Sequence, residues 1–328
     1  MRVSVAMTTY NGERFVEKQL FSLLDQTYLP DEVIIFDDCS TDKTRSIIEQ
    51  FIVGNSLNNW ILQTNTKNTG YILNFHNAIQ ACSGDIIFLC DQDDIWEKDK
   101  IQTMVNHLVQ NPEIKVLNTA IRLIDERDNH INIKKKKGWV NENILKKRVD
   151  DGNTIPIDIN YLIFKNISTG CSICFIKQIK DDFIKHHSEN IPHDWLINIL
   201  GSLRQGTFFF NHITTNYRKH NQNTIGVKTA NQKKITTQKE DKINSAQKLY
   251  RRAIDLDHIF DEFNYNESKE KLTKYIIFLQ NRLAFTRTLS LKDYIKMFKN
   301  FKIYISYFDK QIILSDLIYL LRADKIFR

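Results

Sequence analysis

The sequence predicts an α/β fold with a mostly parallel sheet, followed by a separate helical segment. Short apolar runs alternate with amphipathic segments of helix length through the first third of the 328 residues, as in βαβ units. Clusters of polar residues follow these runs, where the strands of a parallel sheet open into loops. Beyond Gly226 the chain contains neither glycine nor proline, and long helical patterns replace the alternation. The predicted boundary separates residues 1–228 from residues 229–328.

Each element of the first part has its own pattern. Residues 3–7 form an uninterrupted apolar run of strand length, and residues 14–24 space their apolar side chains on one face of a helix. The polar turn after the second strand contains Ser40 and Thr41, either of which suits the cap of a helix that runs to about Phe51. Similar patterns predict strands over residues 32–36, 60–63, 85–90, 115–119 and near 171–176, and helices over residues 74–82, 101–110, 243–260 and 267–289.

Charge is distributed unevenly along the chain. Residues 1–100 contain 8 Lys and Arg against 15 Asp and Glu, a net charge of −7, whereas residues 101–328 contain 38 against 24, a net charge of +14. A basic surface of this kind suits nucleic acid, an anionic membrane surface or phosphorylated substrates. A solvated, lysine-rich surface explains the same numbers, so composition alone leaves these interpretations open.

Hydropathy and cysteine content indicate the compartment. No run approaches the roughly 18–20 uncharged apolar residues of a membrane-spanning helix, and the apolar start is too short for a signal peptide. Five cysteines, an odd number in a long chain, favour reduced thiols over a disulfide framework. We therefore expect a cytoplasmic protein.

Three carboxylates follow one apolar strand. The run that begins at Gly84 places Asp91, Asp93 and Asp94 in a single loop, where like charges repel unless a cation or a hydrogen-bonded ligand lies among them. Hard oxygen ligands suit Mg²⁺ or Mn²⁺, which retain positions for water and substrate phosphates. The alternative is an exposed acidic turn in which Asp93 or Asp94 caps the next helix.

Polar side chains also follow the first and second predicted strands. Asp37 and Asp38 end the second strand, where a buried carboxylate suits hydrogen bonds from a nucleobase or ribose and a helix N-cap is the alternative. Thr8 and Tyr10 offer a hydroxyl and an aromatic face, which suit sugar contact and base stacking, or a simple turn. Because the carboxyl ends of parallel strands meet at one edge, we expect these loops to converge with the acidic loop.

Four motifs occur in order along the first part of the chain. They are VSVAMTTYN at residues 3–11, FDDCSTD at 36–42, NTG at 68–70 and LCDQDD at 89–94. Their order and spacing resemble those of the family-2 inverting glycosyltransferases, which have the GT-A fold. The string DQDDIW is most similar to bacterial rhamnosyltransferase-type members that build surface polysaccharides. The resemblance covers about residues 1–225 and leaves the tail uncovered.

The resemblance implies a reaction and a donor site. A sugar would move from a nucleoside-diphosphate sugar, such as a UDP- or dTDP-sugar, to a glycan or lipid-linked glycan acceptor. Carried over residue by residue, it implies that Thr8, Tyr10 and Asp38 hold the donor nucleoside and that Asp91 contacts ribose or sugar. Asp93 would ligate Mn²⁺ or Mg²⁺, which stabilises the departing diphosphate.

A later motif implies the acceptor side. Within the segment that leads into an apolar helical run, Asp194 is similar to the catalytic base of the family, and Trp195 is placed to stack on the acceptor sugar. The alternative is an N-cap by Asp194 with Trp195 in the core. Gly170 lies in a loop that resembles one approaching donor or acceptor, where glycine permits close backbone contact; a strand-entry turn is equally compatible.

The last motif implies a second metal ligand. His220 resembles the histidine that completes the metal site, and Arg218 and Lys219 resemble the basic residues that face the diphosphate. The sequence departs from the wider family after the NTG motif, where Phe75 and His76 replace a common Arg-Asn pair. This departure puts a basic donor contact at that position in doubt.

Two other function classes remain open from the sequence. A nucleotidyltransferase also uses an acidic metal loop on an α/β sheet, but such enzymes usually carry a glycine-rich basic first loop that this chain lacks. A nucleic-acid-binding protein would explain the basic residues but not the acidic loops, so no nucleic-acid partner is expected.

The C-terminal segment has two candidate roles. Residues 229–328 contain 20 Lys and Arg against 12 Asp and Glu, a net charge of +8. Basic residues near an anionic membrane contribute about 1 kcal/mol each to binding, which favours a peripheral contact with the inner face of the membrane. Alternatively, the apolar clusters of its helices pack on the first part of the chain or on a second copy, which would form a homo-oligomer.

Overall fold

The computed structural model describes residues 1–132, 145, 148–220, 239–298 and 310–321. The chain divides into two compact units, Met1–Val227 and Lys228–Arg328. No helix in these described ranges is both long enough and apolar enough to cross a membrane.

A mixed sheet forms the first unit. Within the described residues its strands are β1 (Val3–Thr9), β2 (Glu32–Asp37), β3 (Trp60–Thr64), β4 (Ile86–Asp91), β5 (Ile95–Trp96), β6 (Val116–Ile124), β7 (Thr154–Pro156), β8 (Ile173–Ile176) and β9 (Thr207–Arg218). The order is β3-β2-β1-β4-β8-β6-β9-β5, and β7 pairs with β9. Neighbours from β3 to β4 are parallel, as are β6 and β9, whereas β8 runs antiparallel to both of its neighbours.

Helices cover this sheet. They are α1 (Val16–Leu24), α2 (Thr44–Gly54), α3 (Tyr71–Ala81), α4 (Lys100–Gln110), α5 (Ile159–Leu162), α6 (Lys177–Lys185) and α7 (His193–Leu203), with a 3₁₀ turn at Gly170–Ser172. All residues of β1 and β2 are buried, which explains why these strands read as continuous apolar runs. The predicted α/β class with a mostly parallel central sheet is confirmed.

Strands whose pairing partner is β9, which lies far from them along the chain, differ from the sequence prediction. β6 extends to Ile124, five residues beyond the predicted end at Thr119, because it pairs along its length with the unpredicted strand β9. Within the described ranges, β5 has two residues and pairs with β9, and β7 also pairs with β9. Such short or irregular strands carry little periodicity of their own, since pairing rather than pattern defines them.

The second unit is helical. It comprises α8 (Lys239–Glu262), α9 (Lys269–Thr288), α10 (Leu291–Phe298) and α11 (Lys310–Leu321). Three of these helices meet at a buried ionic cluster in which Asp316 accepts hydrogen bonds from Arg282 Nε at 2.8 Å and Lys242 Nζ at 3.3 Å. The helices predicted over residues 243–260 and 267–289 are confirmed by α8 and α9.

Candidate active site

The parallel strands bring three polar loops to one edge of the sheet. Thr8 at the end of β1 is paired with Asp91 at the end of β4, and Thr9 is paired with Asp37 at the end of β2. The loops that follow these three strands therefore begin side by side, as the sequence predicts.

Gln92 joins the first loop to the acidic loop. Its Oε1 accepts a hydrogen bond from the backbone N–H of Tyr10 at 2.8 Å, and its Nε2 donates to the Tyr10 carbonyl at 2.9 Å. A Cβ on Gly12 would lie closer to this amide than van der Waals contact allows. The Tyr10 side chain is exposed, whereas Thr8 is buried. The aromatic ring is therefore held at the surface by a backbone clamp that the sequence analysis missed.

The carboxylate of Asp38 is hydrogen-bonded to neighbouring residues of the chain. Its Oδ1 accepts hydrogen bonds from the backbone N–H of Thr69, the Thr69 hydroxyl and Asn65 Nδ2, and its Oδ2 accepts one from the backbone N–H of Gly70, each at 2.8 Å. Gly70 adopts a positive φ of 82° immediately before α3, a conformation that favours glycine. This buried carboxylate thus shapes the loop before α3.

Two carboxylates of the acidic loop and a thiol form a cluster in which Asp94 and Cys171 are buried and Asp91 is partly buried. Ligand atoms of Asp91, Asp94 and Cys171 all lie within 4.8 Å of one another. Burial, followed by the charge of Asp93, raises the pKa of Asp94 to about 7, although the backbone N–H of Arg218 donates to Asp94 Oδ1 at 2.9 Å. Burial and the neighbouring carboxylates likewise raise the pKa of Asp91 well above its usual value. A divalent cation nearby would relieve this unfavourable concentration of negative charge.

The two predicted metal ligands are adjacent. His220 Nε2 lies 2.6 Å from Asp93 Oδ2, and the imidazole packs against Phe15 with the ring centroids 5.0 Å apart. Their side chains are 5% and 15% exposed, which leaves Asp93 the more accessible of the two. A carboxylate beside an imidazole is a donor set that suits Mn²⁺ and is acceptable to Mg²⁺.

The buried side chain of Arg218 is hydrogen-bonded to other residues of the protein. Its Nε donates to the Asp93 carbonyl at 2.7 Å, and its Nη1 donates to the Asp125 carbonyl at 2.9 Å and to the Asp128 carboxylate. The side chain is fully buried and lies over the ring of Phe15. A phosphate-neutralising role does not fit this placement, because the guanidinium is committed to holding the acidic loop. Lys219 follows as a half-buried residue, and burial lowers its pKa.

Lys100 is a buried cation to which the sequence analysis gave no role. Its Nζ donates to Thr215 Oγ1 at 2.8 Å and to the Cys171 carbonyl, and it lies 3.8 Å from the centroid of the Trp96 ring. Burial lowers its pKa to about 8. Its charge in turn lowers the pKa of Asp94, so it partly balances the buried carboxylates. At the start of a predicted helix, a lysine gives no sequence signal of such burial.

The first turn of α7 carries the predicted base. Asp194 Oδ2 accepts a hydrogen bond from Asn166 Nδ2 at 2.7 Å, and Oδ1 accepts one from the Trp195 backbone N–H at 2.8 Å. The charge of Asp194 is one of those that raise the pKa of Asp91, so the acceptor motif lies within electrostatic reach of the acidic loop. A Cβ on Gly170 would lie 3.7 Å from Asp194 Cβ, which places the glycine loop beside the base.

Trp195 belongs to the core. The side chain is buried, and its indole N–H donates to the Leu162 carbonyl at 2.6 Å. Stacking on an acceptor sugar, the role expected from the sequence, does not fit this placement. The alternative of a core tryptophan describes it better.

Comparison with known proteins identifies the family. The model of Glycosyl transferase family 2 matches residues 4–169, slightly more than half of the chain. The dTDP-rhamnosyl transferase RfbG of Shigella flexneri is 28% identical over 231 residues, which cover 67% of this chain and 73% of RfbG. The putative teichuronic acid biosynthesis glycosyltransferase TuaG of Bacillus subtilis is 32% identical over 109 residues, which cover 33% of this chain and 42% of TuaG.

Solved structures share the fold. TarS 1-349 of S. aureus in complex with UDP-GlcNAc superposes with a TM-score of 0.59 at 15% identity, covering 95% of this chain and 83% of that one. The mannosyltransferase PcManGT from Pyrobaculum calidifontis, in complex with GDP-Man and Mn²⁺, gives a TM-score of 0.54 at 15% identity and covers 99% and 87%. The predicted GT-A fold is confirmed, and neither a nucleotidyltransferase nor a nucleic-acid-binding protein is favoured. Because the family model matches slightly more than half of the chain, including the loops after β1, β2 and β4, the chain belongs to glycosyl transferase family 2.

Proposed function

We propose that this glycosyltransferase moves a sugar, with rhamnose as the first candidate, from a nucleoside-diphosphate sugar to a glycan or lipid-linked glycan in surface polysaccharide synthesis. The observation that carries the proposal is that the loops after β1, β2 and β4 begin side by side at one edge of the sheet, with Asp194 near enough for its charge to raise the pKa of Asp91. The name of the relative from Shigella flexneri, a dTDP-rhamnosyl transferase, supports dTDP-rhamnose as the donor.

The donor side is assigned to the loops after β1, β2 and β4. Exposed Tyr10 is available to stack on the nucleobase, and Thr8 and Asp91 contact ribose or sugar. Asp38 acts through the loop that it holds rather than by direct contact, since three neighbouring residues already donate hydrogen bonds to it. Lys219 is the candidate for diphosphate neutralisation.

Asp93 and His220 are assigned to a divalent cation, Mn²⁺ or Mg²⁺. They are adjacent, and the surrounding carboxylates supply negative charge that a cation would balance. When bound, such a cation provides Lewis-acid stabilisation of the leaving diphosphate. Arg218 positions this site, because it donates a hydrogen bond to the carbonyl of Asp93 itself.

Asp194 acts as general base in an inverting displacement. It accepts the proton of the acceptor hydroxyl while that oxygen forms a bond to the anomeric carbon. The bond from this carbon to the diphosphate oxygen breaks on the opposite face, and its electron pair leaves with the nucleoside diphosphate. The hydrogen bonds from Asn166 and from the Trp195 backbone fix the orientation of the carboxylate, as a general base at contact distance requires.

We place the reaction in the cytoplasm, with the C-terminal unit in contact with an anionic membrane surface or with a second copy of the chain. The net charge of +8 over residues 229–328 supports the membrane contact. Co-sedimentation with vesicles tests it. Binding that ignores both the anionic lipid content and the removal of residues 229–328 would contradict it, and the molar mass in solution measures the oligomer.

Nucleotide binding tests the proposed reaction. We would measure thermal shift and calorimetry with UDP, dTDP, GDP and CDP, each with and without Mn²⁺ or Mg²⁺. A ligand that binds only the folded state raises its apparent stability by mass action, so one diphosphate should stabilise the chain in a metal-dependent way. dTDP would favour a rhamnosyl donor, whereas no response to any nucleotide by folded protein would overturn the proposal.

A further inference from the structure

His193 begins α7 in an aromatic enclosure beside the proposed base. Its ring stacks on Phe75, with the centroids 3.8 Å apart and the planes inclined by 24°, and it meets the edge of Tyr71 at 6.1 Å. Both partners belong to α3. Only 6% of His193 is exposed, so the packing of two helices fixes the position of the imidazole.

The ring nitrogens of His193 are buried polar atoms that the fold leaves unsatisfied. Neither Nδ1 nor Nε2 has a hydrogen-bond partner within the described part of the chain. Burial lowers the pKa of the imidazole to about 3, so near neutral pH one nitrogen is a donor and the other an acceptor. Buried polar groups of folded proteins are normally paired with protein or ordered water, so the two ring nitrogens are candidates for hydrogen bonds to a ligand.

Nε2 is directed at the glycine loop of the site. A Cβ on Gly170 would lie 3.0 Å from His193 Nε2 and 3.7 Å from Asp194 Cβ. The next residue, Cys171, belongs to the cluster that contains the carboxylates of Asp91 and Asp94. His193 and the proposed base therefore border the same glycine, next to the acidic loop.

We propose that His193 binds a hydroxyl of the acceptor sugar adjacent to the hydroxyl that Asp194 deprotonates. This inference rests on the proposed function and deepens it, because it makes a pair of neighbouring free hydroxyls a requirement for the acceptor. Gly170 is part of the arrangement, since any side chain there would crowd Nε2. A neutral imidazole enclosed by aromatic rings suits a hydroxyl, which both donates and accepts a hydrogen bond.

Two variants separate this role from a structural one. His193→Phe retains an aromatic ring to stack on Phe75 but has no ring nitrogen, whereas His193→Gln restores a donor and an acceptor. The acceptor probes are octyl glycosides of rhamnose, glucose, galactose and N-acetylglucosamine, together with their mono-O-methyl derivatives. Hydrolysis of the sugar nucleotide, in which water replaces the acceptor, is measured in parallel.

The expected result is a selective loss of transfer. His193→Phe should lower kcat/KM for the octyl glycoside by about 10- to 100-fold, as expected for a lost hydrogen bond to a substrate hydroxyl, while sugar-nucleotide hydrolysis and nucleotide binding stay within about twofold. His193→Gln should recover part of the loss. Methylation of the neighbouring hydroxyl should impair the natural enzyme but have little further effect on His193→Phe. Parallel loss of transfer and hydrolysis, or equal transfer by His193→Phe and the natural enzyme, would overturn the inference.

A binding measurement, which needs no turnover, covers the case in which the enzyme accepts none of the octyl glycosides as a substrate. The ¹⁵N resonances of the His193 ring, assigned by their loss in His193→Phe, should shift when octyl rhamnoside is added to the nucleotide-bound protein. Unmoved resonances with every octyl glycoside at its solubility limit would overturn the inference. Failure of the proposed function is distinct from both outcomes, because the natural enzyme would then show neither metal-dependent nucleotide binding nor hydrolysis of any sugar nucleotide.

Discussion

At the residue scale, the pKa values of ionisable side chains in and beside the site are shifted, upward for carboxylates and downward for bases. The pKa values of Asp91 and Asp94 are raised, whereas those of Lys100 and His193 are lowered. Burial is the largest cause in all four. Such displacement is concentrated at functional sites, where a fold tolerates unfavourable charge for the benefit of a ligand.

Replacement of the proposed base tests the chemical step. Asp194→Asn keeps the hydrogen-bonding shape but cannot accept a proton at neutral pH, so transfer should fall by about 10²- to 10⁴-fold while calorimetry shows nearly unchanged donor binding. Asp181→Asn, an exposed carboxylate paired with Lys177 on α6, is the matched control. Joint loss of transfer and donor binding in Asp194→Asn would indicate a structural role instead.

Replacement of the proposed metal ligand tests the cation. Asp93→Ala should weaken Mn²⁺-dependent nucleotide binding, because it removes the more exposed of the two adjacent ligands, and Asp99→Ala on the exposed surface should not. Calorimetry with the diphosphate at several Mn²⁺ concentrations measures the difference. Unchanged binding would remove Asp93 from the metal site.

The buried imidazole of His193 predicts that the free energy of unfolding decreases in acid. Burial lowers the pKa of His193 in the folded protein to about 3, from an ordinary histidine value of about 6.5, so between these two pH values the unfolded chain binds the extra proton. The free energy of unfolding should therefore fall as pH decreases through this window, by about 1.4 kcal/mol per pH unit from this residue. Denaturation series at pH 4–6.5 should show a shallower fall for His193→Phe than for the natural protein; parallel curves would refute this.

At the element scale, the loop before α3 is organised by a carboxylate from β2. Three residues of that loop donate hydrogen bonds to Asp38, and the Asp38 backbone N–H donates to the Thr9 carbonyl at 2.8 Å. The backbone and side chain of this one residue, which follows β2, therefore connect the end of β1 to the start of α3. Glycine at position 70, with its positive φ, allows the chain to turn into the helix.

Asp38 is a test of positioning against direct contact. Asp38→Ala should lower the free energy of unfolding by about 1–3 kcal/mol, since buried donors lose their acceptor, and nucleotide affinity should fall with it. Chemical denaturation and calorimetry measure both quantities, with exposed Asp25→Ala as control. Full stability combined with lost nucleotide binding would support the direct donor contact that the sequence resemblance implied.

The sequence predicts some strands better than others. Continuous apolar runs made β1, β2 and β4 predictable, because strands buried on both faces carry a strong local signal. β9 alternates irregularly and depends on pairing with β5, β6 and β7, so its signal lies in contacts distant along the chain. The same limit applies within the site. The motifs located its residues, but only the structure shows that Trp195 is packed in the core and that the buried guanidinium of Arg218 is hydrogen-bonded to the acidic loop.

At the scale of the whole molecule, both units combine an apolar interior with buried charged side chains. The first has an extensive apolar core around its sheet and also buries Lys100 and Arg218. The second buries a cluster of Asp316 with Lys242 and Arg282. A buried ion pair adds little net stability, but removing one partner is costly because it leaves the other charge buried and uncompensated.

Loss of the central carboxylate should therefore loosen the second unit. Asp316→Asn should cost about 3–5 kcal/mol and accelerate amide hydrogen exchange in α8, α9 and α11. Glu270→Gln, which breaks an exposed pair with Lys274 on α9, should leave the free energy of unfolding nearly unchanged, because exposed ion pairs contribute little to stability. Equal exchange rates in the two variants would show that the cluster contributes no more than an ordinary surface pair.

The clamp between Gln92 and Tyr10 has a consequence for protein engineering. Gly12 packs so tightly on the Gln92 amide that any larger residue must move it, and this amide holds the backbone of Tyr10. Libraries aimed at a new donor nucleotide should therefore keep Gly12 and Gln92 invariant and randomise the exposed position 10. Such a library explores ring size and polarity at the proposed nucleobase contact without disturbing the loop that carries position 10.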